Sequence, residues 1–346
     1  MQDVSDAART GDLTDRPRVV VLRPFGAAAS DEVVALLQRA GCEVEVAHPA
    51  SEDEAIAAAR DADGLIYTGP TSRRFIESLT RCRVIARTSI GMDAVDGVDL
   101  ATEKGIVLCN MPGVIEEEVA DQTLALLLAC ARWIVPYDRW VREGGWKERR
   151  QHPGVTTTPR LRGSTLGLVG FGRIARAVAL RSAGFGMRLL AYDPYLAPEA
   201  VRALGATPAT LGEVLQDSDF VSLHVPLTDE THHLIGAPEL LLMKPHAILV
   251  NTCRGPVVDE AALIEALRRG DILAAGLDVM EEEPIGADNP LCALPNVVLA
   301  PHVASRSEVT DRERHIRPAQ EVVAVLAGHR PRAVWNPDVL AKLGLS

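Results

Sequence analysis

The sequence has no Cys-x-x-Cys pair. Its six cysteines, Cys42, Cys82, Cys109, Cys130, Cys253 and Cys292, are scattered, several of them inside apolar runs. That spacing gives neither a disulfide framework nor a zinc site, and it reads as the reduced thiol chemistry of a cytoplasmic protein. Basic residues are in deficit: 36 Lys and Arg stand against 47 Asp and Glu, for a net charge of −11. An acidic surface repels phosphate backbones, so neither nucleic acid nor an anionic membrane is an expected partner. Long apolar runs are lacking too. The longest, residues 123–135, is interrupted by Arg132 and is too short to cross a bilayer. The first 16 residues, MQDVSDAARTGDLTDR, contain no apolar core. They are expected to be a mobile tail, neither a signal peptide nor a span. No solenoid-length repeat and no low-complexity segment interrupts the chain.

What is present is enough apolar material for a large core. At 346 residues and 47% apolar content the chain exceeds what one core usually supports, which predicts two domains. Strand-like runs at 18–22, 43–47, 64–67, 84–86 and 107–109 alternate with helical spacing at 31–40 and 51–60, with Ser30 or Asp31 and Ser51 as caps. A long Leu/Ala-rich helix is predicted over 116–135, then an arm of Gly, Trp, Thr and Arg over 144–163. A second strand–helix series starts at Ser164, with strands at 165–169, around Tyr192, and at 220–224, 248–251, 274–277 and 297–299. A last helix is predicted over 307–327. Such alternation implies α/β domains with parallel sheets covered on both faces.

The second series opens with GLVGFGRIA, in which Gly170, Gly172 and Ala175 fit G-x-G-x-x-G/A. The match follows a predicted strand and opens a predicted helix, which is the context a dinucleotide-binding turn requires. Gly170 permits the tight turn, Gly172 lets the backbone approach a pyrophosphate, and the helix N-terminus faces the anion. Asp193 ends the next strand, 23 residues after Gly170, where an acid binds the adenine ribose hydroxyls. A carboxylate there repels a 2′-phosphate, so the expected cofactor is NAD.

Three polar residues stand at later strand ends: Arg254 in VNTCRGPVVDE, Glu283 in GLDVMEEEP and His302 in APH. Ligands bind at the carboxyl ends of parallel strands. With these motifs in order, together with HVPLTDETHHLI, RTSIGMDAVD and GIVLCNMPG, the chain over residues 18–340 resembles the D-isomer-specific 2-hydroxyacid dehydrogenase family. Residues 115–132, the arm and DPYL resemble the branch containing the C-terminal-binding corepressors and the phosphoglycerate dehydrogenase-like proteins. At this length no appended regulatory domain like that of some phosphoglycerate dehydrogenases is expected.

The resemblance implies an NAD-binding Rossmann domain at 113–302, carrying a dimerisation arm. It is inserted into a flavodoxin-like substrate domain of residues 17–112 completed by 303–346, with the active site in the cleft between them. It implies a homodimer acting on a small 2-keto or 2-hydroxy acid, with no metal. His302 is the expected proton donor, Glu283 its partner, and Arg254 the holder of the substrate carboxylate. Glu281 and Glu282 are expected to be solvated surface residues. Cofactor contacts carry over to Val169, Gly170, Phe171, Gly172, Arg173 and Ile174 at the turn, and to His224, Val225, Pro226 and Thr231 at the end of the 220–224 strand and in the loop after it. Thr252, Cys253 and Asp278 are expected at the nicotinamide end. Backbone N–H groups of Ser89, Ile90 and Gly91 are expected to receive the substrate carboxylate. The family often has Gly at the first of these and Asn after Asp93; here they are Ser89 and Ala94. Arg73 and Arg74 read either as an anion site or as solvated arginines. Two other functions fit the same fold: an NAD-sensing corepressor-like binding protein and a phosphite-type oxidoreductase. Formate oxidation is disfavoured, since formate-oxidising relatives carry glutamine where Glu283 stands.

Overall fold

The computed structural model describes residues 16–23, 31–147, 155 and 157–345. The expected tail, the candidate cap Ser30 and the central part of the arm lie outside them. The chain divides into two compact units: one runs to Pro112 and resumes at Glu308, and the other is Gly113–Ser307. The resumption at Glu308, not at 303, has a local cause. Val303 and Ala304 donate their N–H groups to Asp278, and Ser307 donates its hydroxyl to Glu118, all within the second unit.

The first unit holds five parallel strands: β1 (Arg18–Leu22), β2 (Glu43–Ala47), β3 (Gly64–Tyr67), β4 (Val84–Ala86) and β5 (Val107–Cys109), ordered β2-β1-β3-β4-β5. This is the flavodoxin-like order. Sequence and position agree. β1 is RVVVL and its Val19, Val20 and Val21 are fully buried, as an inner parallel strand covered on both faces must be. Edge strand β2 is EVEVA and keeps Glu43 and Glu45 toward water. The returning helix Glu308–Leu326 seats on this sheet. A Cβ on Gly64 would lie 2.8 Å from Val322, so the glycine sets how closely the helix approaches β3.

The second unit holds β6 (Thr165–Val169), β7 (Arg188–Tyr192), β8 (Thr207–Pro208), β9 (Phe220–Leu223), β10 (Ile248–Asn251), β11 (Ala274–Leu277) and β12 (Val297–Leu299). All are parallel, ordered β12-β11-β10-β9-β6-β7-β8. The chain winds outward from β6 in both directions, so the Rossmann switch point lies between β6 and β9. Strand β8, two residues at the sheet edge, has no signal in the sequence. The helix Glu116–Ala131 packs Leu124, Leu126, Leu127 and Cys130 into the core shared with Val250 and Ala274.

That helix ends before the predicted residue 135. Trp133 adopts a left-handed conformation, φ 53°, and a separate helix, Ile134–Arg142, follows. The indole is 6% exposed and donates to the Thr157 carbonyl at 2.8 Å, which fixes the break. Apolar composition continues through the break, so periodicity alone could not see it.

In the first unit, buried Asn336 closes the β5 edge. Its Oδ1 accepts from Leu108 N–H at 2.9 Å, while its Nδ2 donates to the Ile106 carbonyl at 2.9 Å and the Thr102 hydroxyl at 3.0 Å. Asn336→Ala leaves buried backbone groups unpaired and should cost about 2 kcal/mol or more in urea unfolding. A loss below about 0.5 kcal/mol, the size of an ordinary surface change, would contradict this account.

Candidate active site

The dinucleotide turn leaves β6 at Gly170, whose φ is +85° and whose added Cβ would lie 2.8 Å from the His224 carbonyl and 2.9 Å from Val225. Conformation and space both require glycine. Gly172 differs: nothing lies within 4 Å of an added Cβ, and the helix Arg173–Ala183 that it opens has no side-chain cap. Free space and uncapped N–H groups at a helix start suit a pyrophosphate. Phe171 is buried, Ile174 half-buried, and Arg173 exposed with Glu116 at 3.9 Å. Asp193 at the end of β7 accepts from Phe171 N–H at 2.9 Å and from Tyr195 N–H at 3.0 Å. The Tyr195 hydroxyl reaches Glu230 at 2.5 Å, joining the loops after β7 and β9. These residues fit an adenosine diphosphate moiety.

After β9, His224 shares a 2.9 Å hydrogen bond with Ser222, and burial pushes its pKa down to about 3. It is a neutral structural imidazole at the turn. Thr231 donates to the Pro226 carbonyl at 2.6 Å and closes the following loop.

After β10, Asn251 builds the turn that presents Arg254. Its Nδ2 donates to the Arg254 carbonyl at 2.8 Å and its Oδ1 accepts from Cys253 N–H at 3.0 Å. The Thr252 hydroxyl meets that of Thr123 at 2.9 Å. Burial raises the Cys253 thiol to about 11, so it is inert. Gly255 follows. An added Cβ would lie 1.8 Å from the Met280 carbonyl oxygen, so the Arg254 loop and the loop after β11 touch backbone to backbone.

His302 follows β12 with φ 51°, a conformation side chains rarely take. Asp278 holds it there. The Asp278 carbonyl accepts from His302 N–H at 2.7 Å, and its carboxylate oxygens accept from Val303 at 3.1 Å and Ala304 at 2.8 Å. Asp278 is fully buried, so the contact observed is this anchoring of the His302 segment.

The His302 Nδ1 lies 2.7 Å from Glu283 Oε2, and Glu283 Oε1 accepts from Met280 N–H at 3.1 Å. The hydrogen bond from Glu283 raises the His302 pKa above 6.5, against burial and the Arg254 charge. Burial pushes the Glu283 carboxyl up, but His302, Met280 N–H and Arg254 outweigh it and hold it below 4.5. Arg254 thus acts electrostatically on both partners. Such an imidazole can exchange a proton near neutrality.

Glu281 is exposed, as expected, but it is also tied to His233 at 2.8 Å and accepts from Glu260 N–H at 3.2 Å. Only contacts across distant loops reveal this, and a run of three glutamates gives no hint of it. Glu282 is exposed. In the first unit, Ser89 donates to the Gly91 carbonyl at 3.1 Å and Asn110 to the Ile90 carbonyl at 2.9 Å, shaping that loop. Arg87, 3% exposed, donates to the Thr68 and Gly69 carbonyls, a buried cation the sequence reading passed over. Its signal was an arginine directly after an apolar strand. Arg73 pairs with Asp99 and Arg74 with Asp53, which fits the solvated reading. Among the described residues no His, Cys, Asp and Glu cluster could hold a metal ion, and no single helix is long and apolar enough to cross a membrane.

The NAD-binding domain of D-isomer specific 2-hydroxyacid dehydrogenases matches residues 124–304. The chain is 46% identical over 294 residues to a glyoxylate reductase of Korarchaeum cryptofilum, covering 84% of this chain and 88% of that one. A glyoxylate reductase of Aeropyrum pernix is 43% identical over 333 residues, 94% of this chain and 97% of its own. The chain belongs to the D-isomer specific 2-hydroxyacid dehydrogenase family. A solved member of similar structure is an NADPH-dependent glyoxylate/hydroxypyruvate reductase from Sinorhizobium meliloti in complex with NADP and malonate. It has a TM-score of 0.81 and 32% identity over 92% of this chain and 97% of that one. As a 2-hydroxyacid dehydrogenase, the protein is a nicotinamide-dependent oxidoreductase acting on a CH–OH group.

The Glu283–His302 pair also links stability to pH. The raised His302 pKa contributes stability below about 6.5, lost as pH rises through the folded value. The lowered Glu283 pKa contributes above about 4.5, lost as pH falls through its own. The stability gap between wild type and Glu283→Gln should therefore peak between about pH 4.5 and 6.5, at roughly 1 kcal/mol or less because both groups are partly exposed. Urea titrations from pH 4 to 9 measure it, and a gap that grows from pH 6 to 9 would overturn the assignment.

Proposed function

We propose that the protein reduces a small 2-keto acid of the glyoxylate class with NADH, and that His302 gives the proton to the C2 oxygen. The observation carrying this is the 2.7 Å contact between His302 Nδ1 and Glu283, which leaves Nε2 to face a substrate. A bound nicotinamide supplies the hydride. Glu283 fixes the tautomer and favours the imidazolium, and Arg254 binds the substrate carboxylate and polarises the carbonyl with its planar fork. The loop of Ser89, Ile90 and Gly91 receives the carboxylate by its N–H groups, with the buried Arg87 cation nearby in sequence adding positive potential. Thr252, Pro226 and Thr231 line the nicotinamide side, and Asp278 serves that end by holding the His302 segment. Residues 17–112 with the returning C-terminal segment act as the substrate domain. The exposed Ile134, Val135, Val141 and Trp146 support a two-fold dimer through the arm. The similarity to the glyoxylate reductases of Korarchaeum cryptofilum and Aeropyrum pernix supports the glyoxylate class.

The pH dependence of kcat/KM for glyoxylate reduction from pH 5 to 9 tests the roles. His302→Gln should lose roughly 100-fold or more at every pH. Glu283→Gln should shift the alkaline limb to lower pH, because reduction needs protonated His302. The double variant should be little worse than His302→Gln, since the two act as one unit. Arg254→Lys keeps the charge but not the fork, and should lose about 100-fold in turnover with NADH affinity nearly unchanged. An unmoved alkaline limb in Glu283→Gln would defeat the proton-donor assignment.

Asp193 supports NAD over NADP, although the Sinorhizobium meliloti relative is NADPH-dependent. Its carboxylate is held by two N–H partners, which supports a fixed acid for the ribose hydroxyls. Wild type should prefer NADH strongly in kcat/KM, and Asp193→Ala should narrow that preference by about tenfold or more. Equal wild-type efficiency with NADPH and NADH would refute the NAD assignment.

A further inference from the structure

We infer that Glu281 is a positioning residue for the acid–base centre: it clasps three loops together and thereby sets where Glu283 and Arg254 stand. The inference rests on the Glu283–His302 reading above.

The clasp begins with a reciprocal exchange. Glu281 N–H donates to Glu260 Oε2 at 3.1 Å, and Glu260 N–H donates to Glu281 Oε2 at 3.2 Å. Glu260 is in turn held through Oε1 by Asn289 Nδ2 at 2.6 Å. The other Glu281 oxygen meets His233 Nε2 at 2.8 Å. His233 sits at φ 51°, with its N–H on the Pro256 carbonyl at 2.8 Å. One side chain thus joins the loop after β9, the start of the helix Glu260–Arg269 and the loop after β11.

What the clasp holds is the Met280–Glu281 peptide. Met280, whose carbonyl that peptide carries, faces the catalytic centre in two ways. Its carbonyl carbon and oxygen lie against Gly255, the residue after Arg254, at 2.0 and 1.8 Å from where a Cβ would be. On the other side Met280 N–H fixes the Glu283 carboxylate that meets His302. Moving this peptide displaces Arg254 and Glu283 together. Two close carboxylates repel each other, so Glu281 and Glu260 keep their places only while their N–H, Asn289 and His233 partners are present.

Glu281 acts by position and not by charge. The charged groups that act most strongly on His302 are Glu283, Arg254 and Asp278. Its own neighbours are His233 and Glu260. Glu281→Gln, which keeps an acceptor for Glu260 N–H, should therefore behave like wild type, and Glu281→Ala should not.

The test is the titration of the His302 imidazole by NMR in the full-length protein without cofactor, alongside kcat/KM for glyoxylate reduction and NADH binding by fluorescence. In Glu281→Ala the His302 midpoint should fall at least about halfway toward that of Glu283→Gln, and kcat/KM should drop about tenfold with the NADH Kd within about twofold. Glu281→Gln should restore both. His233→Ala removes one exposed partner and should move the midpoint the same way by less, which keeps the inference testable if Glu281→Ala does not fold. A wild-type His302 midpoint in both Glu281→Ala and His233→Ala, with only the melting temperature lowered, overturns the inference. So does a glutamine variant that behaves like alanine. If Glu283→Gln itself leaves the His302 midpoint in place, the acid–base reading falls and this inference with it. A shift there with none in Glu281→Ala defeats only the clasp.

Discussion

A buried aspartate, Asp278, with two main-chain donors on its carboxylate and a third on its carbonyl organises the site. A left-handed residue other than glycine costs roughly 1–2 kcal/mol, and His302 persists in that conformation only because its surroundings over-determine it. Asp278 supplies the determination through its carbonyl and both carboxylate oxygens, which bind the N–H groups of residues 302, 303 and 304. Burial raises the Asp278 carboxyl, and the Ala304 and Val303 N–H groups work against that by stabilising the anion. The histidine is presented by a rigid anchor on the neighbouring strand β11, not by its own short loop. Without Asp278, the Nδ1 contact with Glu283 has no fixed geometry.

The same economy runs through the other strand ends. Arg254 is aimed by Asn251, the last residue of β10, and Glu283 is aimed by Met280 N–H beyond β11. Gly255 lets those two loops meet at van der Waals contact between main chains, where main-chain positions are far less variable than long side chains. Three polar groups on three strands are in this way referred to one rigid sheet edge. Electrostatics then divides the labour: Glu283 raises the His302 pKa, while Arg254 lowers both and opposes the imidazolium. The balance leaves the histidine above its ordinary value, which suits a proton donor near neutral pH.

Much of this was legible in the sequence, for identifiable reasons. Inner parallel strands must be apolar on both faces, so β1 and β6 announce themselves as RVVVL and TLGLV. The turn at Gly170 demands positive φ and no Cβ, and chemistry at strand ends confines Asp193, Arg254, Glu283 and His302 to short motifs. What was not legible depends on contacts between distant segments. The helix break at Trp133 rests on a hydrogen bond to Thr157, the two-residue strand β8 on pairing at a sheet edge, and the role of Glu281 on Glu260 and His233. The composition of its stretch predicts an exposed Glu281, which it is, but composition carries no information about which loop lies opposite.

The cofactor end obeys a separate logic. Asp193 lies at the end of β7, while Arg254, Glu283 and His302 follow β10, β11 and β12, with β6 and β9 between them in the sheet. Its carboxylate is oriented by Phe171 N–H from the turn itself and by Tyr195 N–H from its own loop. None of these partners contributes to the Asp278 anchor or to the contact at Gly255. A substitution at the β7 end can therefore change the charge there without moving His302. The NADPH dependence of a relative with a TM-score of 0.81 is consistent with that separation. In this chain an acid stands at the β7 end, and its charge acts locally, so the groups at the end of β7 and those after β10, β11 and β12 can vary independently on one sheet.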